Sequence, residues 1–193
     1  TAKSLAEVFF GNEEYMSRID MNEYTMSDSS HKLLGGDNYE GDIATLIHRR
    51  PYGVLLLDEF EKSTTDVKDL FLRILDEGLF VNGSGKTTSA RTQIIIATSN
   101  AGSDYIRESG LSLNSTKKEI DEIKNKLINH IIENNLFRPE LINRFDAVIL
   151  FHPLGSDSQI LVAKKMLDAL HDRSLAQGYD VVFTDALVQK IVH

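Results

Sequence analysis

A chain of 193 residues that is 41% hydrophobic, with 12 glycines and 3 prolines, has enough apolar material for a packed core and too few breakers for a disordered or fibrous polymer. A net charge of -8 argues against broad adhesion to nucleic acid, which needs a basic footprint, and leaves Arg49 and Arg50 as a local basic patch. The absence of cysteine excludes a disulfide scaffold and thiolate metal sites and fits a reducing, cytoplasmic setting; no apolar run approaches the roughly 18 residues of a membrane helix, and residues 1–10 lack the plan of a signal peptide.

Ala2 to Phe10 places Leu5, Val8 and Phe9 on one helical face, with Gly11 as the stop. Arg18 to Met21 is a short strand candidate, and the polar stretch from Ser27 to Asp42 reads as an exposed loop. A helix is expected over Ile43 to Arg50. Gly53 to Leu57 is then a continuous apolar run of strand length, which calls for burial on both faces. Asp58 and Glu59 end that run, and Thr65 to Glu77 carries Val67, Leu70, Phe71, Ile74 and Leu75 at helical spacing. Phe80 to Arg91, turn-rich around Asn82-Gly83-Ser84-Gly85, suggests a hairpin. Gln93 to Ala97 is a second apolar strand ending in Thr98-Ser99-Asn100. Ser115 to Asn134 is an amphipathic helix by the spacing of Ile120, Ile123, Leu127 and Ile131. Ala147 to Phe151 reads as a third apolar strand, Ser156 to Leu175 as a long helix, Tyr179 to Phe183 as a short strand and Asp185 to Val192 as a further helix. Apolar strands alternating with helices predict an α/β fold with a parallel sheet covered on both faces, and the change of pattern beyond Pro153 places a domain boundary near residue 152.

In an open parallel sheet, ligands bind beyond the carboxyl ends of the strands, where Asp58, Glu59 and Asn100 all fall. A carboxylate just past a buried strand can hold a magnesium ion that bridges phosphate oxygens, usually through water, and an adjacent one can orient and deprotonate an attacking water. The alternative for the pair is two solvated acids that favour the dipole of the following helix. A phosphate cradle needs G-x-x-x-x-G-K-[ST] between a strand and a helix. Gly83-Ser84-Gly85-Lys86-Thr87-Thr88 ends like one, yet Phe80 occupies the first glycine position and a strand follows instead of a helix. It is read as a hairpin. Asn82-Gly83-Ser84 and Asn114-Ser115-Thr116 fit the glycosylation sequon, which without a secretory signal is coincidence.

Three long motifs in order, RRPYGVLLLDEFEKS (Arg49 to Ser63), IIIATSNAGSD (Ile94 to Asp104) and FRPELINRFDAVILFHPL (Phe137 to Leu154), resemble the C-terminal AAA+ module of Clp ATPases and the related disaggregases. The resemblance implies a P-loop NTPase sheet over residues 1–151, a partial helical lid over 152–193, and ATP with Mg2+ as cofactors. By it, Asp58 and Glu59 match the Walker B pair, magnesium-associated and catalytic respectively. Asn100 matches the sensor 1 residue, for which a helix cap is the plainer reading. Arg144 matches the arginine finger that reaches a neighbouring subunit's ATP; a surface ion pair is its plainer reading, and Arg138 competes for the role. The stretch AKSLAEVFF resembles the helix following the Walker A lysine and threonine, so that loop is expected before Thr1, and the sensor 2 arginine after His193.

The family carries a Gly-Tyr-Val-Gly pore loop, whereas residues 33–41 here are shorter than that pattern; Tyr39 is the candidate aromatic residue, with a tyrosine in an exposed turn as the alternative. Protease-coupled members carry an exposed Ile-Gly-Leu or Ile-Gly-Phe tripeptide. Ser109-Gly110-Leu111 stands in that interval and departs at its first position, which weighs against a Clp-type peptidase as partner. The implied function is an ATP-dependent unfoldase or disaggregase motor in a hexameric ring acting on unfolded or aggregated polypeptides, without nucleic acid or membrane partners. The rivals are an AAA+ loader acting on another polymer and a non-hydrolysing scaffold that ATP only cements.

Overall fold

In the computed structural model, which describes residues 1–37, 39–112, 115–152 and 154–192, the run Gly-Val-Leu-Leu-Leu-Asp forms the central strand of a three-stranded parallel sheet. The strands are β1 (Met16–Asp20), β2 (Gly53–Asp58) and, beyond a hairpin of β3 (Leu79–Val81) and β4 (Thr87–Ser89), β5 (Gln93–Ala97). β2 lies between β1 and β5, with Asp20 opposite Asp58 and Leu57 opposite Ala97, so all three strands end at the same edge. A central strand without a polar face requires cover on both sides. Leu55 and Leu57 enter a core with Ile19, Leu33, Ile43, Val67, Phe71 and Ile74. On the other side α1 (Ala2–Phe10) packs against β2, burying Ala6, and Val54 is fully buried.

Helix α4 (Thr65–Glu77) forms where predicted because its apolar residues recur every three or four positions and its ends are capped. Thr64 accepts the Val67 N–H, and Gly78 closes the helix in the left-handed region. Its buried Val67, Leu70, Phe71 and Ile74 contribute about 1.5–3 kcal/mol each relative to exposure. The helix begins one turn after β2 ends, so it runs away from the carboxyl edge of the sheet. The other described helices are α2 (Ser29–Leu34), α3 (Asp42–Arg49), α5 (Ser103–Glu108), α6 (Lys117–Glu133), α7 (Pro139–Ile142), α8 (Ser156–Ala176) and α9 (Asp185–Val192). None is long and apolar enough to cross a membrane.

Three expectations are corrected. The supposed loop over 27–42 contains α2, because Leu33 inside that polar stretch reaches the core and is fully buried. Residues 147–151 form no strand: strand backbone needs a partner for its N–H and C=O groups, no strand flanks them among the described residues, and Ile149 and Phe151 stay exposed. Residues 179–183 are likewise irregular, with Tyr179 and Val182 exposed between α8 and α9.

The hairpin disposes of the apparent phosphate loop. Lys86 N–H donates to the Asn82 side-chain oxygen at 2.9 Å, and Thr87 and Thr88 lie in β4, paired antiparallel to β3. No helix starts there to present its free amides. The turn instead packs against the loop after α2: Gly83 N–H donates to the Leu34 carbonyl at 2.8 Å, and a Cβ at Gly83 would stand 2.1 Å from the Gly35 carbonyl. Only glycine fits that approach. Gly83→Ala should therefore lower stability by about 2 kcal/mol in denaturant unfolding, and an unchanged midpoint would contradict the packing.

Candidate active site

The carboxyl edge of the sheet is built around one hydroxyl. Directly after β5 comes Thr98, whose N–H donates to the Leu57 carbonyl at 2.9 Å and whose carbonyl accepts the Phe60 N–H at 2.9 Å. Its Oγ1 donates to Asp58 Oδ1 and accepts the Glu59 N–H at 3.1 Å. These bonds carry the ladder past the end of β2 and hold Glu59 in the left-handed region, at φ 56° and ψ 49°. That conformation costs a non-glycine residue on the order of 1–2 kcal/mol. The turn that follows is fixed by Phe60, buried, edge-on to Phe71 at 5.5 Å and stacked on Phe137 at 5.7 Å.

β1 completes the edge. Arg18 places its guanidinium 2.7 Å from Asp58 Oδ2 and 3.2 Å from Asp20 Oδ2. Asn22 bridges the two strand ends, donating to Glu59 Oε2 at 2.6 Å and to Asp20 Oδ1 at 2.9 Å. The Asn22 side chain and backbone N–H, followed by the Arg18 charge, hold the Asp20 carboxyl below its usual range. Asp20 and Asp58 thus share one guanidinium, while Asn22 ties Glu59 to Asp20, three carboxylates against one positive charge among these groups. Asn100, two residues past Thr98, stands at the same edge, exposed, with its backbone N–H on Glu61 Oε1 at 3.2 Å.

Of the residues singled out from sequence, the fold gathers Asp58, Glu59 and Asn100 and keeps the others apart. Arg144 pairs with Asp76 at 2.8 Å, near the far end of α4 and roughly 16 Å along its axis from Thr65. Arg138, its rival, pairs with Asp69 at 2.9 Å on the same helix. Tyr39 has an exposed ring and donates its hydroxyl to the His31 carbonyl at 2.9 Å; its neighbour Asn38, like Asn114 of the second sequon, lies outside the described residues. Leu111 is buried, so Ser109-Gly110-Leu111 does not present an apolar anchor.

A family model described as AAA domain (Cdc48 subfamily) matches residues 1–148, and the chain is 34% identical to the negative regulator of genetic competence ClpC/MecB of Bacillus subtilis over 98% of its length. The chain belongs to the Clp-type AAA+ ATPases. It is 36% identical to the chaperone protein ClpB of Staphylococcus aureus (strain COL) over 95% of its length. It matches 24% and 21% of those two relatives, so it spans about a quarter or less of their length. Among solved structures, Hsp104 in its closed state with ATPγS and FITC casein superposes with a TM-score of 0.73 at 30% identity, covering 89% of this chain and 30% of that one. The S. cerevisiae Hsp104:casein complex in its extended conformation gives 0.72, also at 30% identity.

Sequence reading found the acids of this Clp-type module and missed the groups that fix them. Thr98 was legible only as a polar strand end, although a hydroxyl directly after an apolar strand, beside another strand ending in acids, is the available signal. Arg18 and Asp20 were read only as strand. Thr98→Val should cost about 1–3 kcal/mol in urea unfolding, because it removes the donor to Asp58 and the acceptor of the Glu59 N–H; a variant as stable as the wild type would contradict the role of Oγ1.

Proposed function

We propose that the module hydrolyses ATP, with Asp58 holding the nucleotide's Mg2+ through water, Glu59 activating the attacking water and Asn100 placing that water against the terminal phosphate. One observation carries this reading: the Thr98 clip holds the two acids at the carboxyl edge of a parallel sheet, where such folds bind their ligands. The donor set suits magnesium. Among the described residues no group of three His, Cys, Asp or Glu side chains could hold a metal by itself. Magnesium typically keeps several waters and takes its other ligands from one or two carboxylates and the substrate's phosphates. Both Asp58 oxygens are already engaged, Oδ2 in an ion pair with Arg18 and Oδ1 in a hydrogen bond from Thr98, which suits contact through water.

Arg144, remote from its own Asp58 and Glu59, would serve a neighbouring copy's nucleotide, so the working unit is a ring, a hexamer by family likeness. A planar guanidinium can meet the charge that develops on the transferred phosphoryl group. ClpB carries the name of a chaperone and Hsp104 has been solved with casein, which supports unfolded or aggregated polypeptide as the substrate. Hydrolysis in the ring would move that polypeptide, with the exposed ring of Tyr39 touching it. We assign α8 and α9 to a helical lid beginning at residue 152.

Glu59→Gln in the intact protein should abolish ATP turnover while leaving nucleotide affinity within about twofold, read by phosphate release and titration calorimetry. Undiminished turnover would remove Glu59 from the chemistry, and absent turnover in the wild type with binding intact would support the scaffold reading. Arg144→Ala should lower turnover by about 10³-fold in rings that still assemble by light scattering. Unchanged rates would place the finger elsewhere.

A further inference from the structure

We propose that Glu61 is a positioning residue for ATP turnover, its carboxylate fixing the backbone of Asn100 and so the place of the Asn100 carboxamide. The proposal rests on the ATPase reading above and assigns a third acid, two residues past the catalytic pair, a task that involves no contact with substrate.

The ladder between β2 and β5 ends at Thr98, and the next backbone donor available on that side, the Asn100 N–H, has no strand to meet. Glu61 Oε1 meets it at 3.2 Å. This bond runs from the turn after Glu59 to the segment bearing Asn100, so it ties the acid tip and the carboxamide into one frame. Asn100 is otherwise exposed, and its local contact, Ser103 N–H donating to its carbonyl at 3.1 Å, orients the residues after it.

A side chain can position another group only if its own backbone is fixed, and that of Glu61 is. Lys68, on the first turn of α4, donates to the Glu61 carbonyl at 3.0 Å and to the Leu136 carbonyl at 3.3 Å, with its ammonium 5.2 Å from the centre of the Phe137 ring. Lys62 N–H closes the turn on the Glu59 carbonyl at 2.9 Å. The second carboxylate oxygen, Oε2, is buried and has no hydrogen-bond partner among the described residues. A surface acid would turn that oxygen to water; here it is withdrawn, as expected when the side chain is held for the bond its other oxygen makes. The nearby Lys68 charge compensates it electrostatically, and burial in turn pushes the Lys68 ammonium below its usual range.

The test separates the acceptor from the volume it fills. Glu61→Met keeps the space and removes the acceptor, whereas Glu61→Gln keeps an oxygen that can accept the Asn100 N–H. In the intact protein, Glu61→Met should lower kcat for ATP about tenfold with KM within about twofold, and Glu61→Gln should recover most of the loss. Wild-type kcat in Glu61→Met overturns the proposal, as does a Glu61→Gln enzyme as slow as Glu61→Met. Should Glu61→Met fail to fold, amide hydrogen exchange at Asn100 decides: slowed exchange in both wild type and Glu61→Gln supports the bond, and free exchange overturns it. Wild-type turnover is the control that separates the two: its absence with nucleotide binding intact would overturn the ATPase reading itself and this proposal with it, whereas turnover in the wild type and in Glu61→Met alike overturns this proposal alone.

Discussion

The arrangement of this Clp-type module depends on the hydrogen bonds that Thr98 makes across the carboxyl edge of its sheet. A parallel ladder normally ends where one strand runs out, and the next residues are free to fray. Here one hydroxyl donates to Asp58 and accepts the Glu59 N–H, while the same residue's backbone pairs with Leu57 and Phe60. Four hydrogen bonds of one residue thus hold two acids and a left-handed turn. Two such side-chain bonds, at about 1 kcal/mol net each or more where a carboxylate takes part, are of the same order as the backbone strain at Glu59. That balance explains how a glutamate sustains a conformation usually left to glycine.

What the clip holds is an unbalanced electrostatic site. Asp20 and Asp58 share one guanidinium, Arg18, and Asn22 joins Asp20 to Glu59, so among these groups three carboxylates face one positive charge. A bound cation with its phosphate ligands would restore the balance, and the proposed magnesium does so without displacing the partners of Asp58. Helix α4 runs between the acid tip and Arg144. Its first turn touches the acid tip through Lys68, and its last turn anchors Arg144 through Asp76. One helix therefore separates the acids from the guanidinium, which is the geometry expected if each works with the opposite group on another copy.

How much of this could be read in advance follows from the range of each interaction. β2 and α4 were legible because burial leaves a local imprint, an unbroken apolar run in one and a period near 3.6 in the other. The hairpin was legible from Asn82 and its glycines. The helix at Leu33 was hidden because a single buried leucine in a polar stretch gives no period. Residues 147–151 misled because apolar content marks a strand only where a pairing partner exists. The site was half legible: Asp58, Glu59 and Asn100 sit at strand ends, which topology alone makes suspect. Their fixings were not, since Thr98 to Asp58, Asn22 to Glu59 and Glu61 to Asn100 each join residues about 40 positions apart, a range that no local pattern encodes.

The claim at the centre is that the edge around Thr98 receives a nucleotide-bound metal, and a paramagnetic probe tests it without relying on turnover. With Mn2+ and ATP in place of Mg2+ and ATP, methyl spectra of the intact, isoleucine-, leucine- and valine-labelled protein should show the signals of Ile19, Leu57 and Ile96 broadened severely. The signal of Val81, on the hairpin beyond the far end of α4, should remain sharp. Sharp Leu57 and Ile19 signals at saturating Mn2+ and ATP, or broadening centred on the hairpin, would contradict the account.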